Sequence, residues 1–140
     1  MDRAPDRRLG PAKNVRNAVE VFGRDLVIDW CEALLEGDAR DDDPRYPDIV
    51  WLGGTIGWPQ YWSRVWGARG LLHIGPPANP QVVADALNDE SWRVREMALK
   101  VITRHELDEA EQQIIDMLDD PSERVRLQAR RALGVPPGDR

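Results

Sequence analysis

The chain has 140 residues, a formal net charge of −6, 41% hydrophobic and 31% charged residues, which suits one folded domain and leaves too much apolar material for wholesale disorder. The negative charge argues against coating nucleic acid or an anionic membrane through the overall field. No window approaches the roughly 18 apolar residues of a bilayer span, and the charged start MDRAPDRRLGPAK has no apolar targeting core, so a cytoplasmic location is expected.

Residues 1–13 read as a flexible leader. A helical stripe begins at Asn14 with Val15, Ala18, Val19 and Phe22, breaks at Gly23, and resumes from Leu26 to Leu35, with Gly37 placed to end it. Cys31, the only cysteine, shares a helical face with Val27, Trp30 and Leu34 and reads as a buried thiol rather than a nucleophile. Residues 38–48, DARDDDPRYPD, form a loop, and Ile49 to Leu52 make one short helical turn. Asp41, Asp42 and Asp43 lack the spacing of a calcium loop because Pro44 and Pro47 intrude. Gly53-Gly54-Thr55 lacks the lysine and spacing of a phosphate loop. No metal site and no cofactor is expected.

The second half is self-similar. ALNDESWRVREMALKVI (86–102) lies over MLDDPSERVRLQARRAL (117–133), so that Leu87 falls on Leu118, Asp89 on Asp120, Val94 on Val125, Arg95 on Arg126 and Ala98 on Ala129. An earlier, degenerate copy is aligned by placing Trp62 on Trp92, Ala68 on Ala98, Val101 on Leu71 and Ile102 on Leu72. Each copy divides into two helices. Asn79 caps the first helix of the middle copy with Pro80 at its first position, and a turn at 88–91 leads to Val94, Met97, Ala98, Val101 and Ile102 on one helical face. The last copy repeats this with Leu107, Ala110, Ile114 and Leu118, a turn at 119–122, then Val125, Ala129, Ala132 and Leu133. No β period is present, and the chain reads as all-α, a stack of helical hairpins.

The pattern L-x-D-x4-VR-x2-A-x2-(V/A)-(I/L), at 87–102 and 118–133, resembles the HEAT repeat, in the short bacterial form also found in phycobilisome-lyase-like proteins. The resemblance implies a right-handed α-α superhelix, an armadillo-like solenoid of about three hairpins with an irregular N-terminal helical cap. Residues 56–134 are the recognisable repeats, residues 14–55 are either a divergent first repeat or a cap, and 135–140 are a tail. It also implies a structural ladder in which a turn aspartate pairs with an arginine of a neighbouring repeat, here Asp89, Arg95, Asp120 and Arg126. The first copy has Pro59 and Val65 at the equivalent positions, so the ladder is expected to fail there.

Charge is segregated by helix. First helices (79–90 and 106–120) carry Asp85, Asp89, Glu90, Glu106, Asp108, Glu109, Glu111, Asp116, Asp119 and Asp120 and no lysine or arginine. Second helices carry Arg64, Arg69, Arg93, Arg95, Lys100, Arg104, Arg124, Arg126, Arg130 and Arg131 against Glu96 and Glu123. Part of this pattern complements helix dipoles, as do His73 and His105 near two helix ends. In a solenoid the second helices line the concave side, which predicts a basic face made of Trp66, Arg69, Arg93, Glu96, Lys100, Arg104, Arg124 and Arg131. Of the four tryptophans in WLGGTIGWPQYWSRVWG (51–67), Trp51 and Trp62 are assigned to packing, Trp51 at the junction of cap and repeats. Trp58 and Trp66 are the pair expected to be exposed beside Arg69.

No catalytic constellation stands out, so the expected function is a non-enzymatic scaffold that binds another protein, through an acidic segment of it, on the basic face. The alternative is a nucleic-acid binder or a DNA-repair protein similar to the alkylpurine glycosylases, which are also built of HEAT-like repeats; net charge disfavours it. Pairing of two copies through exposed solenoid ends is a further expected outcome.

Overall fold

The computed structural model describes residues 4–108 and 110–135; the start of the leader, Glu109 of the acidic first helix and the tail 136–140 lie outside the described residues. The helices are α1 (Pro11–Phe22), α2 (Arg24–Glu36), α3 (Tyr61–Ile74), α4 (Pro80–Ala86), α5 (Trp92–His105), α6 (Glu111–Asp116) and α7 (Glu123–Leu133), with 3-10 turns at Ile49–Leu52 and Met117–Asp119. No strand occurs among the described residues, and no helix among them is long and apolar enough to cross a membrane.

Local chemistry explains most boundaries. Gly23, at φ 90°, separates α1 from α2, and Gly37, at φ 89°, ends α2 in the left-handed conformation that favours glycine. The Asn79 side chain accepts from the Gln81 backbone N–H, with Pro80 opening α4, as the sequence predicts. Two boundaries differ from expectation. Helix α1 starts at Pro11 rather than Asn14, because buried Asn14 reaches back to accept from the Asp6 amide and to donate to the Asp6 carbonyl, tying residues 6–9 onto the helix. Glu106 belongs not to a first helix but to the left-handed cap of α5, at φ 53°, and α6 begins only at Glu111.

The helices lie in two layers. In one, α1 packs beside α3, α3 beside α5 and α5 beside α7; in the other, α2 packs beside α4. The layers are joined by the hairpins α2–α3, α4–α5 and α6–α7. Residues 14–55 thus supply two helices that extend both layers, and α2 takes the place of a first helix. Its link to α3 is the long segment 37–60, where the middle copy has only the turn 87–91. One core runs through all of it, from Val15, Val27, Trp30, Leu34 and Leu52 to Leu71, Val83, Val94, Leu99, Val101 and Val125. Trp51 is buried at the junction, edge-on to Phe22 at 5.4 Å, in the joint expected of it.

The aspartate–arginine ladder reaches the first copy, contrary to expectation. Arg64 pairs with Asp89 at 2.7 Å, and Arg95 with Asp120 at 2.9 Å; each partner lies 25 residues ahead in the chain. Arg95 also donates through Nη1 to the carbonyls of Asp89 and Glu90 in its own turn, and Arg126 does the same to those of Asp120 and Pro121. Each aspartate in addition accepts the backbone N–H of the serine that opens the next helix, Ser91 or Ser122, at 2.9 Å. Carboxylate, guanidinium and turn carbonyls therefore form one chain of charge-assisted bonds across three repeats.

Arg64, not Val65, is the counterpart of Arg95, so the true register of the first copy is shifted by one residue. Tyr61 then matches Trp92, and Ser63, Gly67 and Gly70 match Val94, Ala98 and Val101. All eight but the two rings are buried. Small residues hold the core positions of α3 because α2 lies unusually close. A Cβ on Gly67 would stand 2.6 Å from the Cys31 carbonyl oxygen, and one on Gly70 would collide with the Cys31 Sγ. Cys31 is itself fully buried, and burial pushes its thiol pKa well above the ordinary value.

Two substitutions test these contacts. Gly67→Ala is expected to destabilise the fold by about 1–3 kcal/mol in urea titrations, since the clash is with backbone that has no rotamer to move. Arg95→Met leaves Asp120, whose side chain is 8% exposed, without its cation and is expected to cost about 3–5 kcal/mol in the same assay; a loss below about 1 kcal/mol would show that the ladder is ornamental.

Candidate interaction face

The corrected register arranges side chains of α3, α5 and α7 in rows, of which the one through Trp66 and Gln128 is largely buried. Across the three helices these are Trp62, Arg93 and Arg124; Trp66, Met97 and Gln128; Arg69, Lys100 and Arg131; and, on the first two, His73 and Arg104. Residues 93, 97, 100 and 104 follow helical spacing along one face of α5. The ladder holds the three helices in step, so these rows are a product of it.

His73 lies among several of the cations on these helices. His73 is half-buried, and its pKa is lowered, first by burial and then by the positive charges of Arg69, Arg104 and Arg16. Those three residues come from α3, α5 and α1. Arg16 was invisible as a site residue in the sequence because α1 has no repeat counterpart. Arg104 and Arg131 are exposed and Lys100 is half-buried. Arg69 departs from the expected role: its Nη2 donates to the Leu52 carbonyl at 3.1 Å, and its Nε is buried without a partner among the described residues. Burial lowers its pKa. It anchors the 3-10 turn before α3 and only its remaining edge contributes to the face. Glu96 is likewise buried rather than presented, held by Arg124 at 3.0 Å.

The aromatic half corrects the reading of the tryptophans. Trp66 is 3% exposed and Trp58 is 50% exposed, so the expected exposed pair is a single ring. Gly54 is the reason: a Cβ there would lie 2.6 Å from both Trp66 Cε3 and Ile49 Cγ1, so only a glycine lets the backbone of the 37–60 segment close over the indole. Trp58 then packs edge-on to Trp62 at 5.6 Å and tilted on Trp66 at 6.0 Å, while Trp62 stacks on Trp66 at 6.3 Å. Next to this cluster the Arg93 guanidinium lies 4.5 Å from the ring centre of Trp92, 5.4 Å from that of Trp62 and 5.8 Å from that of Tyr61. Arg124 lies 5.6 Å from the ring centre of Trp92. The stripe thus runs from Trp58 across α3 and α5 to α7. Positive charge, forked donors and ring surface are gathered on one face, a chemistry suited to an anionic and partly apolar partner.

A family model described as HEAT repeats matches residues 59–135, from the loop before α3 to the end of α7. The comparisons with curated proteins and with solved structures found no match.

His73 gives the face a pH signature. Its folded-state pKa is depressed, so above about 6.5, the ordinary histidine value, both states are neutral there and nothing is lost. As pH falls below that value the unfolded chain takes up a proton that folded His73 refuses, and stability declines until the folded pKa is passed. Urea midpoints on either side of about pH 6.5 should show this drop in the native protein and a smaller one in His73→Gln; equal slopes would place His73 outside the cationic cluster.

Proposed function

The chain belongs to the HEAT-repeat family, and from that premise we propose that it is a non-enzymatic scaffold that binds another protein, through an acidic segment, on the face formed by α3, α5 and α7. Repeats of this family generally mediate contacts between proteins. In a solenoid of stacked hairpins the second helices line the concave side, and these are the helices that carry the cations.

The observation that carries the reading is the placement of exposed Arg104 and Arg131 and half-buried Lys100 on the neighbouring second helices α5 and α7. The lowered pKa of His73, due first to burial and then to Arg69, Arg104 and Arg16, agrees with a local excess of cations. The acidic residues of α4 and α6 lie on the other layer, so an acidic segment is drawn to one face and repelled by the other. The net charge of −6 works against any long polyanion, so attraction has to come from this face alone, and a short acidic segment suits it better than a long phosphate backbone.

Charge reversal tests this. Fluorescein-labelled poly-glutamate is titrated with the native protein and with a Lys100→Glu, Arg104→Glu, Arg131→Glu variant, at low and high salt, with duplex DNA in parallel. The native protein should bind poly-glutamate in a salt-sensitive way, and the variant at least about tenfold more weakly, equivalent to about 1.4 kcal/mol. Equal affinity in both proteins would sink the proposal, and tighter binding of DNA than of poly-glutamate would favour the alternative.

A further inference from the structure

The aromatic end of the face is more specific than a basic surface. Arg93 is held by three rings, Trp92, Trp62 and Tyr61, at 4.5, 5.4 and 5.8 Å, yet no hydrogen bond or ion pair to its guanidinium is formed among the described residues. This contrasts with Arg64, Arg95, Arg124 and Arg126, each of which donates to a carboxylate or a carbonyl. A guanidinium has five donors. The Arg93 guanidinium carbon lies over the rings while its donors meet no acceptor among the described residues, so they remain available to an acceptor from outside, and Arg93 is half-buried rather than enclosed. The rings also remove the rotamer entropy that a free arginine loses on pairing, and they lower the local dielectric, both of which strengthen a forked bond to a carboxylate.

Beside this fork lies an apolar ledge. Trp58 is 50% and Ile56 58% exposed, the two largest exposures among the big apolar side chains described. Trp58 is joined to Arg93 through Trp62 by two successive steps, of 5.6 and 5.4 Å. An extended chain advances about 3.3 Å per residue and alternates its side chains between two faces, so a ligand spanning the ledge and the fork within those two steps has its apolar side chain and carboxylate two positions apart.

We infer that Arg93, framed by Tyr61, Trp62 and Trp92, is the anchor for a carboxylate of an acidic peptide segment whose neighbouring apolar side chain covers Trp58 and Ile56. This rests on the proposed binding face and names what one end of it recognises. A single-stranded nucleic acid, which stacks successive bases on successive rings, fits less well, because Trp58 is the one strongly exposed ring of this cluster and Trp62 is covered by Trp66 and by Arg93.

The test compares fluorescein-labelled poly(Glu,Tyr), which carries both carboxylates and rings, with poly-glutamate, which carries carboxylates alone. Native protein should bind the copolymer several-fold more tightly than poly-glutamate. Arg93→Lys keeps the charge but loses the fork, and Trp58→Ala removes the exposed ring that covers Trp62 and Trp66. Both should erase most of that preference with helicity retained, and Arg93→Lys should also weaken poly-glutamate, whose carboxylates lose the fork. Absence of a preference in the native protein, or its survival in Arg93→Lys, overturns the assignment. A labelled oligo-thymidine bound more tightly than the copolymer also overturns it. The wider face fails separately, through the charge-reversed variant at Lys100, Arg104 and Arg131.

Discussion

The chain of bonds from Arg64 through Asp89, Arg95 and Asp120 to Arg126 is the constraint on which the other features depend. Ion pairs at a packed helix base cost desolvation, and on their own they are weak evidence of stability. Here each carboxylate does two things at once: it neutralises the arginine of the preceding repeat and caps the helix of its own through Ser91 or Ser122. Each interior arginine in turn satisfies carbonyls of its own turn. The result fixes rotation as well as spacing between neighbouring second helices. Apolar packing of Val, Ala and Leu side chains alone would tolerate a slip of one residue along the groove. With the ladder in place, positions such as 69, 100 and 131 fall into rows, and a face with defined chemistry exists.

The second constraint is the approach of α2 to α3. Glycines at 67 and 70 let the Cys31 backbone and thiol lie where side chains would otherwise stand. That closeness is what turns the N-terminal helices from an appendage into part of the stack, with α1 beside α3 and α2 beside α4. Helix α1, packed directly beside α3, brings Arg16 toward His73.

The all-helical stack, the helix caps at Gly37 and Asn79, the ladder in the last two copies and the burial of Cys31 and Trp51 were legible because each has a local signal: a periodic stripe, a capping residue, or a repeated Asp and Arg. The register of the first copy was not. Trp62 and Trp92 make a conspicuous match, whereas the correct partners of Val94, Ala98 and Val101 are Ser63, Gly67 and Gly70, which carry no hydrophobic signal at all. The same slip hid Arg64. It also placed Trp66 at a polar position, although Trp66 is covered by backbone that only Gly54 allows. The cradle of Arg93 was illegible for a different reason: it draws Tyr61 and Trp62 from one repeat and Trp92 from the next, and the side chains meet only once the helices are in step. Exposure of Trp58 was readable from the proline that follows it.

The glycines of α3 also make the repeats unequal as modules. Were the α3 and α5 sequences exchanged, Val94, Ala98 and Val101 would be driven into the backbone of α2, while Ser63, Gly67 and Gly70 would leave voids beneath α4. The stack therefore has a polarity that its repeating ladder conceals: by the bonds between its turns it could be shuffled or lengthened freely, but by shape only one helix can follow α2. Diversification of this architecture by duplication would have to proceed from the α5 and α7 end, with the N-terminal pair inherited as a unit.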